Sequence, residues 1–186
     1  MKGRVFTELF AHVEHQYGAD MLDDIIDAAK LPHDGSYTST GSYPFDEMVS
    51  LIKALVAATG KDLPTVLQSF GTHCFESWVS YAPQYFSRGR NLFDILEGID
   101  EFHEVEVRKL YPDAELPSFV PETRDTHVLV LGYYSCKPLA PLAIGVIRGA
   151  AAHVGQSVAL SFEPATGPRG AYTRIRVELL PQLACS

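Results

Sequence analysis

Apolar residues return every three or four positions up to about residue 110 and, apart from one further helix-like stretch, every second position in the segments from residue 128 onward, and this change of period constrains the fold more than any other feature. Val5, Leu9, Val13 and Tyr17 recur at intervals of four with Phe6 and Phe10 beside them, so a first amphipathic helix begins near the N-terminus and stops at Gly18. Met21, Leu22, Ile25, Ile26 and Ala29 repeat the pattern until Pro32-His33-Asp34-Gly35 breaks it, and residues 33–43 read as a polar loop. A third helix carries Phe45, Met48, Val49, Ile52, Leu55 and Val56 to a stop at Gly60. Asp62 and Pro64 open a fourth, with Val66, Phe70, Phe75 and Trp78. Beyond the turn formers between Pro83 and Gly89, the spacing predicts one long helix. Leu92, Leu96, Ile99, His103 and Leu110 share one face of it, opposite Asp94, Glu97, Asp100, Glu101 and Glu104.

From residue 111 the texture changes. Pro112, Pro117 and Pro121 punctuate a connector, and the β-branched and aromatic run from Val128 to Tyr134 reads as a strand. A helix follows from about Pro141 to His153, closed by Gly155. Val158, Leu160 and Phe162, then Ile175, Val177 and Leu179, form two strands joined at Thr166-Gly167-Pro168-Arg169-Gly170. The expected class is α+β, a helical N-terminal part followed by a mostly antiparallel sheet with helices. One domain spans residues 1–186, with a helical subdomain over about 1–62, a second subdomain over 63–186 and a cleft between them.

Length and charge narrow the function. A chain of 186 residues can bury one sizeable core. With 15 basic and 23 acidic side chains the net charge is -8, which disfavours nucleic acid and anionic membrane as partners because such a surface repels phosphates. Glu8, His12 and Glu14 interrupt any apolar signal core, and the apolar runs fall short of a membrane span. Cys74, Cys136 and Cys185 are an odd set without zinc spacing, which suits a reducing compartment, and a cytoplasmic location is expected.

Two features carry chemistry. An imidazole at position 103, on the apolar face of a long helix, can ligate iron in a dry cavity; the alternative is a hydrogen-bonded core histidine. His12, His15, His33, His73, His127 and His153 show no zinc-like spacing with the cysteines. In Tyr133-Tyr134-Ser135-Cys136-Lys137, alternation puts Tyr133, Ser135 and Lys137 on one face, where two hydroxyls and a cation can grip a pair of carboxylates or simply end a strand.

The opening Met1-Lys2-Gly3, the segment Ala82-Pro83-Gln84-Tyr85-Phe86, the stretch from Ile99 to Val107 and the pair Leu116-Pro117 together resemble landmarks of the haem nitric oxide/oxygen binding (H-NOX) family over nearly the whole chain. The resemblance implies that His103 is the axial iron ligand of one haem b and that Pro117 presses on the porphyrin. It also implies that Tyr133, Ser135 and Lys137 occupy a propionate-holding Tyr-x-Ser-x-Arg motif, and that Val5, Leu9, Cys74, Leu142 and Val146 line the pocket. The motif's arginine is Lys137 here, a point charge in place of a bidentate fork. Oxygen-binding members resemble one another in a distal tyrosine five residues after that arginine, where this chain has Leu142; Pro141, Ile144 and Val146 offer no donor either. Residues 138–170 hold no cysteine, so the structural zinc site of some bacterial members is not expected.

By the same resemblance, nitric oxide (and carbon monoxide) binds ferrous haem opposite His103. The iron–histidine bond weakens and the helix shifts. With no kinase or cyclase segment before Ser186, output is expected to pass to a partner, a histidine kinase or cyclic-di-GMP enzyme as for stand-alone bacterial members. The acidic residues from Asp94 to Glu104 read as a docking surface or as a solvated face. A haem-dependent enzyme, disfavoured for want of a distal acid–base pair, a haem carrier and a haem-free interaction module are the alternatives.

Overall fold

The computed structural model describes residues 1–181 apart from 33 and 88, so the expectations for His33 and Cys185 lie outside the described residues. Four helices come first: α1 (Gly3–Tyr17), α2 (Ala19–Ala29), α3 (Phe45–Thr59) and α4 (Leu63–Tyr81). Their ends fall where the sequence puts them. Gly18 and Gly60 take positive φ of 92° and 66° at the stops, and Asp62 caps α4 by accepting from Thr65 N at 2.7 Å.

The long helix predicted over residues 92–110 is instead broken into α5 (Leu92–Glu97), α6 (Ile99–Phe102), a π-helical turn (His103–Val107) and α7 (Arg108–Leu110). In the π turn the Arg108 N–H donates to His103 O, five residues back. The wider turn does not take Leu110 off the inward side: it lines the same cavity as His103 and Val107, and with 54% of its surface exposed it stands at the open part of that space.

The stretch predicted as a connector contains a further strand, β1 (Ser118–Arg124), which pairs antiparallel with β2 (Val128–Tyr134). Pro121 is compatible with a ladder here because β1 lies at the edge of the sheet and its register shifts between Pro121 and Thr123. Asp125 closes the hairpin, its Oδ1 accepting from His127 N at 2.7 Å and Val128 N at 2.8 Å. Then come α8 (Ala140–His153), β3 (Val158–Gly167) and β4 (Gly170–Leu179), completing an antiparallel sheet of order β1-β2-β4-β3.

Two hydrophobic cores result. One lies among α1 to α4, around Phe6, Leu9, Leu51, Leu55 and Phe70. The other lies between the inner face of the sheet, α8 and the segment containing α5 and α6, around Phe75, Leu96, Leu131, Ile147 and Val177. The two helices α4 and α8 meet backbone to backbone. A Cβ on Gly71 would stand 2.1 Å from Leu142 O and one on Gly145 2.0 Å from Gln68 O, so these positions accept no side chain. Thr72 Oγ1 adds a bond to Gly145 O at 3.1 Å.

A candidate haem pocket

Between the two cores runs a cavity of about 430 Å³, within the usual size range of small-molecule clefts. Val5 and Glu8 from α1, Cys74 and Trp78 from α4 and Leu142 from α8 line one wall; Phe102, His103, Val107 and Pro117 line the facing one. Of the residues expected around a cofactor, His103, Pro117, Tyr133, Ser135, Lys137, Val5, Cys74 and Leu142 all border this one space. Leu9 and Val146 do not. Both are packed inside the cores, Leu9 at 0% and Val146 at 1% exposure, because their helix positions face neighbouring helices rather than the cleft.

His103 is 5% exposed, and a chain of short contacts sets its ring. On α6, Asp100 accepts from Ser118 Oγ at 2.8 Å and from Phe119 N at 2.7 Å, drawing the start of β1 against the helix. That brings Pro117 O to 3.2 Å from His103 Nδ1. A carbonyl can only accept, so Nδ1 carries the proton and Nε2 is left as a lone-pair donor, the tautomer a metal requires. Burial, outweighing the nearby Asp100 carboxylate, lowers the imidazole's pKa and favours the neutral form. Trp78 and Phe102 flank the ring with centroids 5.9 Å away in each case.

The rest of that face is not a free acidic surface. Arg124 on β1 pairs with Asp94 at 2.7 Å and with Glu97, and Arg108 pairs with Glu104 at 2.8 Å. Asp94 and Glu97 thus tie α5 to β1, and Glu104 is paired within its own helical segment.

Opposite His103 the wall is apolar near Val5 and Leu142 and becomes polar toward Glu8. Burial works against the Glu8 carboxylate, but His73, Ser77 and Arg4 outweigh it and lower its pKa. His73 Nε2 lies 3.4 Å from Glu8 Oε2, at ion-pair distance without the alignment of a hydrogen bond. Reading the sequence missed this pair, although Glu8 falls on the cavity face three residues after Val5. It also missed Trp78 as a wall residue, treating it as core. Burial pushes the Cys74 thiol well above its ordinary pKa, so it stands in the wall as a neutral, weak donor.

At the rim Tyr133 is buried beside Phe119, with ring centroids 5.2 Å apart, and Lys137 Nζ donates to Glu115 Oε2 at 2.6 Å. Burial disfavours the Lys137 ammonium, but Glu115 and the Cys136 sulfur more than compensate and raise its pKa.

The donor set fits a haem. An apolar slot receives a flat hydrophobic ring, one neutral imidazole faces into it, and hydroxyls and a cation wait at the edge for carboxylates. An α+β domain built this way belongs to the class of haem-pocket proteins. More particularly, the chain belongs to the Haem-NO-binding family, whose sequence profile matches residues 2–162. This is the H-NOX family of haem-binding gas-sensing domains. The Fe(II) unliganded H-NOX protein of K. algicida is 31% identical with 100% of both chains covered and a TM-score of 0.86. An H-NOX protein of S. oneidensis, a triple mutant in the Fe(II) ligation state, is 23% identical with 100% of both chains covered and a TM-score of 0.85. An oxygen-binding H-NOX domain related to soluble guanylate cyclases, solved as its oxygen complex, is 19% identical over 100% of this chain and 99% of the other, with a TM-score of 0.80. The last two likenesses are of fold. No curated protein is significantly similar in sequence. Among the described residues no helix is long and apolar enough to cross a membrane.

Proposed function

We propose that the chain is a nitric oxide sensor that holds one haem b through His103 and passes its state to a separate signalling protein, a histidine kinase or cyclic-di-GMP enzyme, in the cytoplasm. The observation that carries this reading is the His103 ring, which lines the cavity with its Nδ1 3.2 Å from the Pro117 carbonyl oxygen, in a space that Val5 and Leu142 also line. Haem held here by His103 would supply a ferrous iron able to bind a diatomic gas.

The chain's own residues then decide which gas is favoured and what moves. Bound oxygen relies on a hydrogen-bond donor, nitric oxide does not, and Leu142 provides none. Tyr133, Ser135 and Lys137 hold the cofactor's carboxylates. Asp100 ties α6, next to His103, to the start of β1, and Arg124 ties β1 to Asp94 of α5, so a movement of His103 would be passed to β1. No turnover is assigned, because Glu8 is already engaged by Arg4 at 2.7 Å and Ser77 at 2.9 Å.

The absorbance spectrum of the reduced protein tests the reading. It should change on adding nitric oxide or carbon monoxide and stay unchanged in air-saturated buffer. Oxygen sensing is the second reading, favoured by Trp78, a cavity-lining residue whose side chain carries a hydrogen-bond donor. A long-lived oxygen complex that Trp78→Phe abolishes would establish it in place of the first.

A further inference from the structure

Two lysines stand at the rim of the cavity in matching circumstances. Lys2 precedes α1 and Lys137 follows β2, yet both line the same space. Their side chains are only 17% and 14% exposed. Each is met by a carboxylate that is the reverse, reaching in from solvent: Asp113 at 2.7 Å, 76% exposed, and Glu115 at 2.6 Å, 72% exposed. Asp113 and Glu115 belong to one short loop and flank Ala114, which is buried at the cavity wall, so the loop lays one acid on each lysine.

The two cations are also fixed independently of their acids. Lys2 Nζ donates to Ser42 Oγ at 2.8 Å and lies 5.7 Å from the centre of the Tyr111 ring, and Lys137 Nζ lies 5.9 Å from that of Phe45. Sunken ammoniums with exposed, replaceable counterions are a receptor for something that brings two carboxylates of its own. Exchanging one carboxylate for another keeps each lysine paired, whereas an uncompensated sunken charge would be costly. The acids give up only what an exposed ion pair contributes, about 0–1 kcal/mol.

We propose that Lys2 joins Lys137 as the receptor for the two propionates of the cofactor, and that Asp113 and Glu115 are intramolecular competitors which vacate the lysines as the propionates arrive. Lys2 thereby supplies the second cationic contact at a rim where Lys137 makes a single one. The proposal rests on the haem reading above and deepens it.

The test is the equilibrium partition of haem between this protein and apomyoglobin, run in parallel with haem dimethyl ester, whose arms carry no charge. Lys2→Met should shift haem toward myoglobin about tenfold, Lys2→Arg should restore the partition, and neither should move the ester. The double substitution Asp113→Asn with Glu115→Gln, confined to exposed side chains, should shift haem the other way. If Lys2→Met left the partition unchanged, or moved haem and ester equally, the rim receptor would be overturned while the haem reading stood. Weaker haem binding in the Asp113→Asn, Glu115→Gln protein would show that the acids support the site and would equally overturn the competition. A wild-type protein that took up neither haem nor ester would overturn both readings together.

Discussion

The two walls of the cavity are built on opposite principles. The wall of α1, α4 and α8 is regular helix, and where α4 crosses α8 the backbones touch at Gly71 and Gly145 with no space for a methyl group. The facing wall, residues 98–117, follows a break at Gly98, passes into a π turn at His103 and back to α-helix at Arg108, and is held by a handful of polar contacts: Asp100 to Ser118 and Phe119 and His103 to Pro117, with Arg124 of β1 pairing nearby with Asp94 and Glu97 of α5. Close-packed backbone has essentially one arrangement, whereas polar contacts can be exchanged for others of similar free energy. The first wall is therefore suited to set which ligand fits, and the second to move when the ligand arrives.

Removing the polar keystone of the second wall gives the largest expected effect. His103→Gly should abolish haem retention unless imidazole is supplied, because among the described residues no other histidine lines the cavity. An unchanged ferrous spectrum in that variant would remove His103 from the site.

Next in size is a pair of alanine substitutions, one in each wall. In the first wall, Gly145→Ala puts a Cβ 2.0 Å from Gln68 O, which should cost about 3 kcal/mol, or roughly 10 °C in Tm. In the second wall, Gly98→Ala places its Cβ 3.2 Å from Asp94 O at an ordinary φ of -79°, and its Tm should move much less. Thermal melting of both proteins measures the contrast, and equal shifts would mean that the walls do not differ in rigidity.

The smallest effect under ordinary conditions concerns acid. His12 on α1 is 4% exposed and contacts Ser69 Oγ on α4 at 3.3 Å. Burial, assisted by His73, His15 and Lys61, lowers its pKa from 6.5 to about 4. The unfolded chain takes up this proton near pH 6.5 and the folded chain resists until about pH 4, so the contribution is complete above 6.5 and declines as pH falls through that window. The loss is about 1 kcal/mol one pH unit below 6.5 and grows as pH falls further toward 4. Urea titrations of wild type and His12→Gln should diverge only below pH 6.5. Parallel pH profiles would mean that His12 is not what makes the first wall acid-sensitive.

Local signals in the chain were enough for most of the element plan. Gly18, Gly60 and the Asp62-Pro64 start act within a few residues of themselves, and period-two alternation in residues 128–134 and 158–179 reports strand whatever lies beside it. The inward turn of His103 was legible for the same reason, as were the common face of Tyr133 and Lys137 and the apolar residue at 142. Three things were not. Pro121 forbids a central strand but permits an edge one, and only strand order shows that β1 is an edge. The π turn beginning at His103 leaves no mark in side-chain spacing, since Leu110 fits an α stripe on paper and still lines the cavity with His103 in the fold. The meetings of Lys2 with Asp113, Lys137 with Glu115 and Glu8 with His73 join residues 22 to 111 positions apart. Periodicity tells which way a side chain points from its own element. What it meets there depends on how distant elements pack, and packing alone gave this pocket its charged rim.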